Sequence, residues 1–238
     1  MPGWATIFCL TLVAGAAMPL GAVVACVLHI QPDWLEDEFR HSVIAFGGGA
    51  LFSAVSLVLV PEGSAALPAW LVAACFAAGG GAFLLIDIAL DRIKSPSGQL
   101  VAMLSDFVPE ALALGAAFSS ESSGAPLLAG LIALQNLPEG FNAFRELDAA
   151  RAMPSRVILA TFSVMAFLGP TAGLTGYFLL SAYPAAVAGI MLFAAGGILY
   201  LVFQDIAPQA KLDCHWAPPL GAVLGFLLGL VGQLLAGG

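Results

Sequence analysis

Charge is what this sequence has least of. Only 9% of its 238 residues are Asp, Glu, Lys or Arg, while 61% are hydrophobic; a soluble domain carries about 25% charge. A water-soluble chain of this length could not cover so much apolar surface, so the composition indicates a polytopic membrane protein. Basic residues are scarcer still, seven against fifteen acidic ones, for a net charge of −8 and a pI near 4.6. No basic face is available for nucleic acid. The four cysteines (Cys9, Cys26, Cys75, Cys214) form no CxxC pair and no framework spacing; they read as small apolar helix residues. The three histidines, His29, His41 and His215, fall at span ends or in loops, where solvated imidazole is the ordinary reading. No HExxH is present, and no histidine inside an apolar run can pair with a serine. The groups that intramembrane hydrolysis needs are missing, and the chain is expected not to be an enzyme.

Long apolar runs are abundant. Runs of about 20 residues cover 4–29, 42–62, 67–90, 99–119, 125–144, 157–181, 184–207 and 217–236. The expectation is an all-α membrane protein in which residues 1–238 form a single transmembrane domain of eight helices. The basic residues check that number. Arg40 falls in the first loop, Arg92 and Lys94 in the third, Arg145, Arg151 and Arg156 in the fifth, and Lys211 in the seventh. The even loops, such as SSESSGA at 119–125, have none. By the positive-inside rule the odd loops are cytoplasmic and both termini extracytoplasmic. The N-terminal run resembles a signal peptide at its AGAA, but it lacks a basic start and continues to about Leu28; it reads as a first span. The acidic first loop, QPDWLEDEFRH at 31–41, reads as a solvated face.

Two pairs of spans echo each other. FGGGALFSAVSLVLVPE (46–62) and FAAGGILYLVFQDIAPQ (193–209) both place Gly three residues and Pro fifteen residues after Phe. DFVPEALALG (106–115) and QNLPEGFNAF (135–144) share a Pro-Glu pair, 29 positions apart. Together they suggest an inverted internal repeat, spans 1–4 answered by spans 5–8, with Pro-kinked helices 4 and 5 at the core. Such a layout is a transporter signature, with the substrate site near the midplane.

Asp106, Glu110 and Glu139 lie inside apolar spans. Each costs about 2.5–3.5 kcal/mol at a bilayer centre on insertion scales, so they need a proton or a cation. The spacing favours the cation. Asp106 and Glu110 are four apart and share a helix face; Gln135 and Glu139 repeat the spacing, and Asn136 adds an amide. Pro109 and Pro138 remove the hydrogen bonds to the carbonyls of Ser105 and Leu134, which frees further oxygens. The candidate metal-binding residues are therefore Asp106, Glu110, Gln135, Asn136 and Glu139. Asp87 reads as interfacial. Asp205 and Gln204 read as a solvated helix end, and Glu62 as the same on the opposite side.

These motifs resemble those of the ZIP (Zrt/Irt-like) divalent metal transporter family, in its bacterial branch without long loops. DFVPEA (106–111) is similar to the family's His-Asn-x-Pro-Glu-Gly, with Asp106 in the His place and Phe107 in the Asn place. QNLPEG (135–140) is similar to its fifth-span motif. The resemblance implies a carrier of divalent ions such as zinc, manganese or iron, located in the inner or plasma membrane. It also implies a homodimer, no prosthetic group, and alternating access by spans 1, 4, 5 and 6 against a scaffold of spans 2, 3, 7 and 8. A relative that binds metal without transporting it is the alternative.

The chain departs from the family pattern at three points. Histidine is absent from both core motifs. The sixth-span Glu-Pro pair reads Gly169-Pro170, and a methionine of the second span in some relatives is Leu51 here. One site is therefore expected where relatives hold two ions. Its carboxylate and amide oxygens suit Mn²⁺, Mg²⁺ or Ca²⁺ better than zinc.

Overall fold

The computed structural model describes residues 2–28, 33–93, 97–119, 125–151, 153–180, 182–210 and 216–236. His29, Lys94, Glu121, Lys211, Cys214 and His215 lie outside them, as does most of the 119–125 loop. Among the described residues the chain is almost entirely helical, has no strand, and forms eight rods. They are α1 (Gly3–Val27), α2 (Asp33–Ala54, running on through 55–59 to Val60–Ala65), α3 (Ala69–Ile93), α4 (Ser97–Ser119) and α5 (Ala125–Ala149). Then follow α6 (Ser155–Ala166 and Leu168–Thr175, then 176–180), α7 (Pro184–Leu201, then 202–206 and Ala207–Gln209) and α8 (Ala217–Ala236). Six of them, all but α4 and α5, are long and apolar enough to cross a membrane. The two exceptions have the length, 23 and 25 residues. α5 falls short in apolarity because it carries Gln135, Asn136, Glu139 and Asn142.

Two sequence expectations shift. The acidic stretch from Asp33 onward is helical, not a loop, so α2 starts well before residue 42. α5 likewise runs past residue 144 to Ala149. In both cases charged residues continue an amphipathic helix beyond its apolar run, which hydropathy alone does not reveal.

α2 and α7 each contain a wide π turn, at Val55–Leu59 and Val202–Ile206. Each is followed by a proline, Pro61 or Pro208, whose ring would strike the carbonyl four residues back, Leu57 or Gln204. Widening the turn removes that clash. α4 and α5 continue as α-helix through Pro109 and Pro138.

The most extensive helix contacts fall into two groups, with α2 against α5 the largest contact between them. α1 pairs with α5 and α4 with α6; α2 pairs with α8 and α3 with α7. Each pair closes on reciprocal glycines. A Cβ on Gly21 would overlap Leu137 O, and one on Gly140 would overlap Met18 O. Gly115 meets Gly173 O while Gly176 meets Leu112 O. The other pairs are Gly49 with Ala222 O and Gly225 with Phe46 O, then Gly79 with Phe193 O and Gly196 with Phe76 O. In a bilayer, where lipid is as apolar as leucine, such backbone approach is what holds helices together. The small residues of 45–54 and 193–197 thus serve packing within a group. Gly47 is different: it faces Pro138 of the other group.

Candidate metal centre

α4 and α5 bring the sequence-selected residues together at their midpoints. Glu110 is wholly buried, Asp106 is 4% exposed and Gln135 2%. Gln135 Nε2 donates to Glu110 Oε2 at 2.6 Å. That assignment of the amide is the chemically sensible one, because its oxygen would repel the carboxylate. Glu139 is half-buried. Asp106, Glu110 and Glu139 lie within Coulombic reach of one another.

Four buried oxygens of this cluster are left without a hydrogen-bond partner: Asp106 Oδ1, Glu110 Oε1, Gln135 Oε1 and Asn136 Oδ1. Each orphaned acceptor costs about 1–3 kcal/mol, more for a charged group. All four are acceptors, so no rearrangement among ionised forms can pair them; they need a positive charge or added protons. Asn136 also turns its Nδ2 to Ala14 O on α1, at 2.8 Å. It ties α5 to α1 as well as presenting an oxygen. Among the described residues no three His, Cys, Asp or Glu side chains are arranged to hold a metal. Any ion-binding shell here therefore mixes carboxylates with amide oxygens.

An open cavity of about 290 Å³ reaches this cluster from the odd-loop end of the helices, between the two groups. Asp106, Gln135 and Glu139 form its inner wall, with Pro138; Glu110 and Asn136 are not among its lining residues. Toward the mouth it is lined by Asn142 and Glu146 of α5, Asp87 of α3, and Asp205 and Gln209 of α7. Asp87 accepts a hydrogen bond from Tyr200 OH at 2.7 Å. Arg40 Nε donates to Asn142 Oδ1 at 3.0 Å, and Asn142 Nδ2 to Glu146 Oε1 at 2.8 Å.

Sequence reasoning passed over the mouth. Asn142 and Glu146 were signalled by a stripe, Gln135, Glu139, Asn142 and Glu146, that keeps to one face of α5 at helical spacing. Asp87, read as interfacial, and Asp205, read as a solvated helix end, both face the cavity; Asp205 is indeed exposed there. Gln204 is exposed and does not line the cavity, and Glu62 lies on a different part of the fold.

Fold and site together define a class: a multi-pass helical membrane architecture with a polar cavity that ends at buried, unpaired acceptors. No protein-family model matches the chain, and no curated protein does.

Proposed function

We propose that this protein carries divalent metal cations across the membrane by alternating access, as a divergent relative of the ZIP transporters. The observation that carries the proposal is the set of four partnerless buried oxygens on α4 and α5, three of which belong to a carboxylate or to an amide hydrogen-bonded to one. A dication supplies the missing charge. All eight rods cross the bilayer in this reading, α4 and α5 included, because the cavity and the opposing rods shield their polar faces. The odd loops face the cytoplasm, so the cavity is an inward-facing vestibule and both termini lie outside.

The two packing groups match the mobile and stationary parts that the resemblance implies: α1, α4, α5 and α6 against α2, α3, α7 and α8. The tight backbone-to-backbone glycine contacts lie inside each group; between the groups lie the cavity and side-chain contacts such as Gly47 against Pro138. The ion is an oxygen-preferring one such as Mn²⁺, Mg²⁺ or Ca²⁺, because neither imidazole nor thiolate lines the site. Given that zinc binds most mixed sites more tightly than manganese, the site's discrimination rests on its oxygen-only donors and on room for retained water. At about 30 Å³ per water, the cavity accommodates a partly hydrated ion.

The test is flux into proteoliposomes holding the purified chain. Glu110→Ala and Glu139→Ala should each abolish uptake while the protein remains folded and monodisperse. Unchanged uptake by both would remove these carboxylates from the mechanism.

A further inference from the structure

A metal ion held by α4 and α5 would engage only the inner end of the cavity. The rest of the lining is sorted by chemistry. Ile44 and Leu51 of α2, Leu90 of α3, and Leu201 and Ile206 of α7 give it an aliphatic wall. α5 contributes Gln135, Glu139, Asn142 and Glu146. A hydrated ion gains nothing from aliphatic side chains, because keeping them wet is unfavourable. An alkyl chain laid against them removes that cost.

The carboxylates fall at two depths. Asp106 and Glu139 stand at the inner end. Asp87, Glu146 and Asp205, from three different helices, stand toward the mouth, and Asp205 lies within Coulombic reach of the other two. Tyr200 OH donates to Asp87 Oδ2 and so orients that carboxylate. Among the described residues the mouth acids form no metal-holding group. An ammonium needs only nearby acceptors, not a closed shell of ligands. Glu139 and Glu146 are seven residues apart on α5, about 10 Å along its axis. At the inner end Asp106 and Gln135, 4% and 2% exposed, line the cavity, and each leaves one oxygen without a partner. Those oxygens call for donors, and an ammonium is three donors with no acceptor. The cavity's volume, about 290 Å³, stands at the lower end of the range for pockets that take small organic molecules, about 300–1,000 Å³.

We propose that this cavity is also a binding site for a linear aliphatic diamine, with an ammonium at each end of a spacer of about six carbons. One ammonium donates to Asp106, Gln135 and Glu139. The other sits among Asp87, Glu146 and Asp205, and the methylenes between them lie against Leu51, Leu201 and Ile206. Diamine binding is independent of metal transport, since it uses the aliphatic wall and the mouth acids as well as the inner oxygens. Where both ligands bind, they compete for the inner end.

The experiment is equilibrium dialysis on the full chain in detergent, with empty micelles as the blank. The probes are ethylenediamine, putrescine and hexamethylenediamine, together with aminohexanol, which has the longest spacer but a single ammonium. Affinity should rise along the diamine series, by up to about fourfold for each added methylene. Hexamethylenediamine should bind about tenfold more tightly than aminohexanol. Replacing both mouth acids, Asp87→Asn with Asp205→Asn, should erase that advantage. Three results overturn the proposal: no diamine binds, ethylenediamine binds as tightly as hexamethylenediamine, or the advantage over aminohexanol survives in the double variant. Mn²⁺ uptake by the same preparation in proteoliposomes separates the two readings. Uptake without diamine binding sinks only the diamine site; diamine binding in the predicted order, with no dication taken up, sinks only the carrier.

Discussion

Glu110 has one oxygen held by Gln135 and the other facing nothing. That asymmetry makes it the pivot of the site. The amide fixes the carboxylate's rotamer and leaves one lone-pair face for an ion. Supporting contacts of this kind are worth about 10–100-fold in metal affinity. Gln135→Ala should therefore weaken Mn²⁺ binding by about that factor, read by calorimetry on the detergent-solubilised protein; binding at unchanged strength would show that Gln135 neither orients Glu110 nor touches the ion. Asp106→His puts an imidazole on the cavity wall. It should raise zinc uptake relative to manganese by about tenfold, or 1.4 kcal/mol, measured as a flux ratio from an equal mixture. An unaltered ratio would count against Asp106 as a ligand. At this scale much was legible. The acids and amides stood out because hydrocarbon tolerates few of them, and the four-residue spacing placed each pair on one face. Asn136 was less legible: one residue away from Gln135, its amide reaches α1, a contact that local spacing cannot disclose.

Between helices, the side-chain hydrogen bonds sort by group. Gln135 to Glu110, Asn136 to Ala14, Arg145 to Leu28 O and Tyr200 to Asp87 each stay within one group. Arg40 to Asn142 crosses from α2 to α5 at the cavity mouth. It ties the two groups together at the mouth, so Arg40→Ala should lower the thermal midpoint in detergent; an unchanged midpoint would show that the bond adds nothing to the contact between the groups. Glycine contacts set the opposite kind of constraint. Gly140→Leu would drive a side chain into Met18 O, an overpacking worth about 1–3 kcal/mol or more. The thermal midpoint in detergent should fall, and a midpoint equal to that of the parent protein would mean the α1–α5 contact is looser than described. Element identity was readable from apolar runs, since a span needs about 20 residues. What the runs hid was the charged extension of α2 back to Asp33, and the use of glycine. A GGG at 47–49 looks like one stripe, yet Gly49 packs on α8 while Gly47 faces Pro138 of the other group.

Across the whole molecule, a polar cavity ends at buried acceptors that have no donors. The Pro-Glu pairs of α4 and α5 do not share the register of those helices' glycine contacts, Gly115 against Gly173 O and Gly140 against Met18 O. The motif follows ligand chemistry, whereas helix pairing follows where backbones can touch, and the two need not coincide. Most of the cavity mouth was hidden for a related reason. Asp87, Glu146 and Asp205 come from helix ends, which look solvated in sequence and converge only once α3, α5 and α7 are packed. The central claim is that one cation occupies the α4–α5 oxygen cluster. Anomalous scattering from crystals soaked in Mn²⁺ tests it most directly. The account predicts a single strong peak about 2.0–2.6 Å from carboxylate oxygens of Asp106 and Glu110. A fully occupied manganese elsewhere, with these oxygens bare, would contradict it.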